Sequence, residues 1–250
     1  YRNAAVKHAD ETGWRTDGQN GYSWLFCTPD ISIYRFRSSR SASVAKEIFG
    51  DKPLPGVLVV DRYNGYNKMP SKIQYCYAHL LRTVKDLEKD FPENAEIKSF
   101  VEALAPQLAN AISLRTLDIT DKQFKKQAAK IKDAIIEITN RQAKHPAIWK
   151  IQDIFREKAD RLYHWADDRN IPADNNLAER ELRPLVIARK ISFGSQSIAG
   201  ASTRETLMTV LHTLKKRVPD VTAAFKFALD RLVEQADLDL AKVLFNLNSS

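Results

Sequence analysis

Gly56-Val57-Leu58-Val59-Val60-Asp61 is the stretch on which the fold turns. Four consecutive apolar residues, three of them β-branched, leave no polar face, which is the pattern of a strand covered on both sides in a parallel sheet. Pro53, Pro55 and Gly56 lead into the run and Asp61 closes it. Ligands of open α/β sheets gather beyond the carboxyl ends of strands, so the position gives Asp61 a functional character. Upstream, the runs VKHAD, YSWLFCT and ISIYRF between Val6 and Phe36 are broken at Asp17-Gly18, Asn20-Gly21 and Pro29-Asp30. This alternation of strand and turn residues predicts three antiparallel strands, with Asp10 at a strand margin before Glu11, Thr12 and Gly13. Trp24 and Phe26 alternate with Leu25 and Cys27, so the second of these strands has two apolar faces. After Ser41, the spacing of Val44, Ala45 and Ile48 predicts a helix that Gly50 stops. Ile73 to Tyr77 gives a fifth strand, followed by a helix from about His79 to Phe91 carrying Leu80, Val84 and Leu87. The expected class is α/β, with a five-stranded mixed sheet flanked by helices.

From Pro92 to about Asn170 the pattern becomes helical. Ile97, Val101, Leu104 and Leu108 form one stripe; Phe124, Ala128, Ile131, Ile135 and Ile138 form a second; Ile148, Ile151, Phe155, Leu162 and Trp165 form a third. The organisation read from this is a first core segment 1–91, a helical insertion 92–170, and a remainder of the core with C-terminal helices, 171–250. After Ile171-Pro172, Asp174 is an N-cap candidate for a helix carrying Glu179, and Pro184 should end or kink that helix by removing a donor and crowding the Arg180 carbonyl. Two more amphipathic helices are expected, around Leu207, Val210, Leu211 and Leu214 and around Val221, Phe225, Leu229 and Leu232. There is no internal repeat, low-complexity tract or long linker.

Composition narrows the function classes. The 250 residues include 39 Lys and Arg against 31 Asp and Glu, a formal charge of +8 that favours a polyanionic partner such as nucleic acid over acidic small molecules. Two cysteines, Cys27 and Cys76, are too few for a disulfide framework and fit a reducing cytoplasm. No apolar run approaches the roughly 18 residues of a membrane span, so a soluble, cytoplasmic protein is expected. Tyr1 begins without a starting Met, which reads as an excerpt of a longer chain.

Three acids stand in unusual settings: Asp10 in VKHADETGW, Asp61 after its apolar run, and Glu179 in DNNLAERELRP. Mg²⁺ takes oxygen ligands and keeps several waters, so carboxylates from separate elements suffice to hold it beside phosphate. Two ions held in this way can clamp the attacking and leaving oxygens of a phosphodiester. The bland alternative is that strand-end Asp residues form turns and that Glu179 is a solvated helix charge. Glu11 and Glu181 are the nearest competitors, but Glu181 points about 200° from Glu179 around a helix. Arg180, Arg183, Arg189 and Lys190 surround Glu179 and can contact phosphate without reading sequence. Arg183, four residues after Glu179, can equally form an intrahelical pair. Asn176 and Asn175 can orient water or DNA backbone, or simply cap the helix.

Cys76 and His79 form a C-x2-H pair. Structural zinc is disfavoured because Cys27, His8, His145 and His164 lack ligand spacing. Tyr63, Tyr66 and Lys68 can contact DNA or form a packed turn. Lys122, Lys125, Lys126, Lys130 and Lys132 read as a solvated face, with a DNA-grasping surface as the sharper alternative.

The phrases ADETGW, GVLVVDRYNGYNK, CYAHLLR and DNNLAERELRPLVIARKISFGSQS, in that order between about Val6 and Ala228, resemble the DDE transposases of the insertion sequence 66 family. The resemblance implies a ribonuclease H-like core with a helical insertion between the second and third catalytic acids. It also implies that Asp10, Asp61 and Glu179 are the metal-binding acids of Mg²⁺-dependent DNA cleavage and strand transfer, with two ions and Mn²⁺ as a substitute. Asp61 follows Asp10 by 51 residues and Glu179 follows Asp61 by 118, enough for the insertion. The implied partners are transposon ends and target DNA, a second copy of the chain in an oligomer on DNA, and accessory transposition proteins, in a bacterial cytoplasm. Cys76 and His79 match a C-x2-H element that supports the active site in several transposase families. A nuclease or resolvase on the same core, and a noncatalytic DNA-binding remnant, are the rival readings.

Overall fold

The computed structural model describes residues 1–245. Among the described residues a single five-stranded sheet has the order β3-β2-β1-β4-β5, from β1 (Val6–Thr16), β2 (Gln19–Cys27), β3 (Ser32–Arg37), β4 (Val57–Val60) and β5 (Lys72–Tyr75). It is mixed: β1 pairs with β4 and β4 with β5 in parallel, whereas β2 and β3 are antiparallel. With helices following its strands, this is the sheet expected of a ribonuclease H-like core. The chain divides into two compact units, one of Arg2–Ala9 and Ser41–Asn176, the other of Tyr1, Asp10–Arg40 and Leu177 onward. β1 contributes to both.

In the first of these units, Val6, Lys7 and His8 pair with Val57, Leu58 and Val59. All four residues of β4 are buried, and Val57 and Val59 pack with Val6 and Ile171. Gly56 is obligatory at the entrance to β4: its φ is 72° and a Cβ there would lie 2.2 Å from the Ala5 carbonyl oxygen. Lys7 is fully buried, its ammonium donating to the carbonyls of Ala4 and Pro55, and desolvation lowers its pKa. α1 (Ala42–Phe49) starts where Ser41 accepts from the Ser43 amide and stops at Gly50, whose φ is 69°. β5 runs into α2 (Tyr77–Asp90), two residues earlier than expected.

The helical segment comprises α3 (Ala95–Leu114), α4 (Asp121–Asn140), α5 (Pro146–Glu157) and the short α6 (His164–Asp167). Every residue of the three expected stripes is buried. A capping box of Thr120 and Gln123 satisfies the first amides of α4. α3 packs on α2 and on α4, and α4 on α5 and α6, so these helices belong to the same compact unit as β4 and β5.

In the other unit, Asp17 and Gly18 join β1 to β2 with φ values of 51° and 71°, the left-handed pair that a two-residue hairpin turn requires. Leu25, Cys27, Tyr34 and Phe36 cluster with Trp14 and with Ala178, Leu182 and Leu185 of α7 (Asn176–Ser192) and Ala201 of α8 (Ile198–Arg217). α7 continues through Pro184, so of the expected end or kink the proline does not bring the end. Burial of Leu182 and Leu185 on either side of the proline holds the helix together despite the lost donor. β1 likewise continues to Thr16, so Asp10 lies within the strand and not at its margin. α9 (Val221–Glu234) and α10 (Leu240–Phe245) complete the unit. The stripes expected on the late helices are only partly covered: Leu214 is buried, but Leu207, Leu211 and Leu229 are exposed.

Candidate active site

Asp10 is half-buried in β1, and its Oδ1 accepts from the backbone amide of Glu11 at 2.9 Å. Asp61 directly follows β4, and its Oδ1 accepts from the amide of Tyr63 at 2.9 Å. These backbone contacts orient both carboxylates. Glu179 is half-buried in the first turn of α7, where the helix dipole favours a negative charge. Asp10 and Glu179 belong to one compact unit and Asp61 to the other.

The two rival acids are committed elsewhere. Glu11 has an almost fully buried carboxylate that accepts two hydrogen bonds from Arg40, the shorter at 2.6 Å. Glu181 accepts from the Ser32 hydroxyl at 3.0 Å and lies 3.7 Å from His212 Nδ1 and 3.5 Å from Lys216 Nζ. Burial alone would raise the Glu181 pKa, but the His212 hydrogen bond, the Lys216 charge and the Ser32 hydroxyl outweigh it and hold the carboxyl at about 2. Burial dominates at Cys27, pushing its thiol up to about 12 against the opposing charge of Lys216.

Asn175, immediately before α7, is fully buried. Its Nδ2 donates to the Ala9 carbonyl at 2.9 Å, its Oδ1 lies 2.9 Å from His8 Nδ1, and its backbone amide donates to Cys76 Sγ at 3.2 Å. Because Oδ1 can only accept, His8 carries a proton on Nδ1. Asn175 therefore fastens the residue preceding α7 to the residue preceding Asp10. This tie was not legible in the sequence, where capping and DNA contact were the options weighed. Asp174, expected as the N-cap, accepts from the Asn176 amide, two residues on at the start of α7, at 2.9 Å. Cys76 also receives its place from β4, its amide donating to the Val60 carbonyl at 2.8 Å. His79 lies in the first turn of α2, half-buried, with its carbonyl accepting from Thr83.

Of the basic residues, Arg180, Arg183 and Lys190 are exposed on α7, as is Asn176. Arg189 is half-buried on the same helix. Its guanidinium Nη1 donates to Thr12 Oγ1 at 3.1 Å and to the Gly13 carbonyl at 2.7 Å, fastening α7 to β1. Tyr66 is fully buried and meets Tyr63 edge-on, so it belongs to the packed turn. Lys122, Lys125, Lys126 and Lys130 are exposed, while Lys132 lies over the Tyr163 ring.

The mixed five-stranded sheet of order β3-β2-β1-β4-β5, flanked by helices, defines the class as an α/β core. The model of the transposase IS66 family matches residues 1–203, and the chain belongs to that family. It is similar to two uncharacterized proteins of Sinorhizobium fredii (strain NBRC 101917 / NGR234). One is y4jD, 26% identical over 228 residues covering 84% of this chain and 44% of the relative. The other is y4qI, 25% identical over 276 residues covering 90% and 47%. The chain thus spans about half the length of the curated relatives it matches. Among solved structures, it is similar to the HTLV-2 integrase catalytic core domain in complex with magnesium. The dimeric form is 11% identical, with a TM-score of 0.23, over 46% of this chain and 89% of that one. The trimeric form is 10% identical, with a TM-score of 0.22, over 60% and 97%. Among the described residues, no helix is long and apolar enough to cross a membrane.

Proposed function

We propose that this chain is the catalytic portion of a DDE transposase, in which Asp10, Asp61 and Glu179 together hold divalent cations, Mg²⁺ by preference and Mn²⁺ as a substitute. The observation that supports this best is strand register. β1 and β4 pair in parallel at an offset of 51 residues, the last pair being His8 with Val59, and Asp10 and Asp61 each follow by two residues at the same offset. Hard carboxylate oxygens suit Mg²⁺, and the commitment of Glu11 and Glu181 to ion pairs leaves Glu179 as the acid on α7 for this role. Bound there, the ions would supply Lewis acidity and activate a water for cleavage or a DNA 3′-hydroxyl for joining.

The rest of the proposed work falls to α7. Arg180, Arg183, Lys190 and Asn176 lie along it on the solvent side, where they can hold phosphates in register with Glu179 through contacts that carry no sequence information. Arg189 and Asn175 act one step back, fixing the helix to β1. Joining of two DNA ends calls for more than one copy of the chain on DNA, and accessory proteins are part of the same proposal.

The test is a joining assay with a precleaved DNA end bearing a 3′-hydroxyl, in Mg²⁺, using the whole protein. A joined product that disappears in Asp61→Asn is expected. Cutting without any joined product would favour a nuclease on the same core, and unchanged activity in Asp61→Asn would remove the metal site altogether.

A further inference from the structure

The turn between α7 and α8 holds a bulky side chain in a backbone conformation that bulky side chains avoid. Phe193 has a φ of 58° and is 75% exposed. Its amide donates to the Arg189 carbonyl at 2.9 Å, closing α7 with a residue in the left-handed position where glycine or asparagine usually stands. A phenylalanine there is a backbone outlier, and its ring gains little burial in return.

The backbone around it is firmly fixed. Ser195 donates to the Arg15 carbonyl at 2.9 Å and accepts from the Asp17 amide at 2.9 Å, and its hydroxyl accepts from the Trp14 indole at 3.1 Å. Ser192 Oγ donates to the Ala188 carbonyl at 2.9 Å. Gly194 is held so close that a Cβ would lie 2.2 Å from the Arg15 carbonyl oxygen. The turn therefore presents an aromatic ring to solvent from a fixed backbone, so that binding has only the side chain left to order.

The surroundings select the occupant. Between Glu181 and Glu205 the chain has no acid and four basic residues, Arg183, Arg189, Lys190 and Arg204. Ile187 and Ile191, four residues apart on one face of α7, and Ile198 at the start of α8 are also exposed. Arg189 is held by Thr12 and Gly13 and Arg204 lies over the Trp14 ring, which leaves Arg183 and Lys190 as the exposed cations of this stretch. An exposed aromatic ring at the end of a helix that carries exposed isoleucines and exposed cations matches a ligand with flat apolar faces joined by anionic links, which describes unpaired nucleotides. We infer that Phe193 is a stacking platform for an unstacked base of DNA. The inference rests on the reading of this chain as a DNA-acting protein and adds a site for single-stranded substrate to it.

Fluorescence anisotropy with a labelled single strand and with the blunt duplex of the same sequence tests this, with Phe193→Asn, Phe193→Leu and Phe193→Trp beside the wild type. Asparagine tolerates the left-handed position, so Phe193→Asn should melt no lower than the wild type while binding the single strand roughly 5- to 150-fold more weakly. Duplex binding should be unchanged, Phe193→Trp should restore single-strand affinity, and 2-aminopurine in the strand should be quenched only by aromatic variants. Equal single-strand binding by Phe193→Leu or Phe193→Asn would overturn the inference. So would a wild-type dimer that Phe193→Asn dissociates, or wild-type capture by anionic phospholipid vesicles that the variant loses while its single-strand binding stays unchanged. Wild-type protein that binds neither DNA would sink the DNA reading as well; binding that the variant retains would sink only this site.

Discussion

Replacing Asn175 by alanine removes two buried hydrogen bonds at once, the donation to Ala9 and the acceptance from His8, each 2.9 Å long. The backbone bond to Cys76 Sγ survives, because it uses the Asn175 amide. A buried hydrogen bond whose remaining partner is not rehydrated costs about 1–3 kcal/mol. Asn175 is fully buried, so water gains no easy entry, and the pair should cost about 3 kcal/mol. In a chain of this size that corresponds to a fall in melting temperature of about 6–12 °C. Asn175→Asp should be no better, since it keeps the acceptor for His8 but sets a carboxylate oxygen against the Ala9 carbonyl. Thermal and urea unfolding followed by circular dichroism give the magnitude. A change of less than about 0.5 kcal/mol in Asn175→Ala, the range of an ordinary surface substitution, would refute the argument that Asn175 fastens α7 to β1.

The Glu181 carboxyl is held at about 2 in the folded state, below its unfolded value, so its contribution is present above the unfolded pKa and is lost as pH falls through about 4 towards 2. Glu181→Gln should flatten that acid limb by on the order of 2–3 kcal/mol in stability measured against pH, and parallel curves for the two proteins would contradict it. Gly194→Ala should destabilise by about 3 kcal/mol or more, because the added Cβ meets the Arg15 carbonyl oxygen at 2.2 Å in a backbone with φ of 139°; unfolding midpoints equal to wild type would show that the turn can yield. Lys190→Ala should weaken binding to all DNA sequences alike and lower the slope of log affinity against log salt by about 1, whereas an unchanged slope would remove Lys190 from the phosphate contacts.

The parts of the fold that the sequence made legible are those decided by short-range pattern. Val57-Leu58-Val59-Val60 has the β-branched pattern of a strand covered on both faces, and it is the centre of the parallel half of the sheet. The helical stripes from Ile97 to Trp165 are buried to the last residue, because spacing of three and four fixes one face of a helix whatever it packs against. Readings failed where distant contacts override local chemistry. Glu11-Thr12-Gly13 looks like the end of a strand, yet Arg189, some 176 residues on, binds Thr12 and Gly13 while β1 continues to Thr16. Pro184 reads as ending or kinking its helix, yet α7 does not end there, and Leu182 and Leu185 bury it on both sides of the proline.

The candidate site follows the same division. Asp61 was marked by its place after four apolar residues and Asp10 by its setting in VKHADETGW; that their interval of 51 residues equals the offset between β1 and β4 emerged only from the strand pairing. The roles of Asn175 and His8 were not legible, since the partners lie 167 residues apart and neither carries a motif for the other. The strained Phe193 gave no signal either, because φ is a property of the folded turn.

The central claim is that Asp10, Asp61 and Glu179 share divalent cations, and anomalous scattering from crystals grown with Mn²⁺ tests it most directly. The account predicts a manganese peak coordinated by the carboxylates of Asp10 and Asp61, with Glu179 completing the site, and its loss in Asp61→Asn. Manganese bound elsewhere, or retained unchanged in Asp61→Asn, would contradict it.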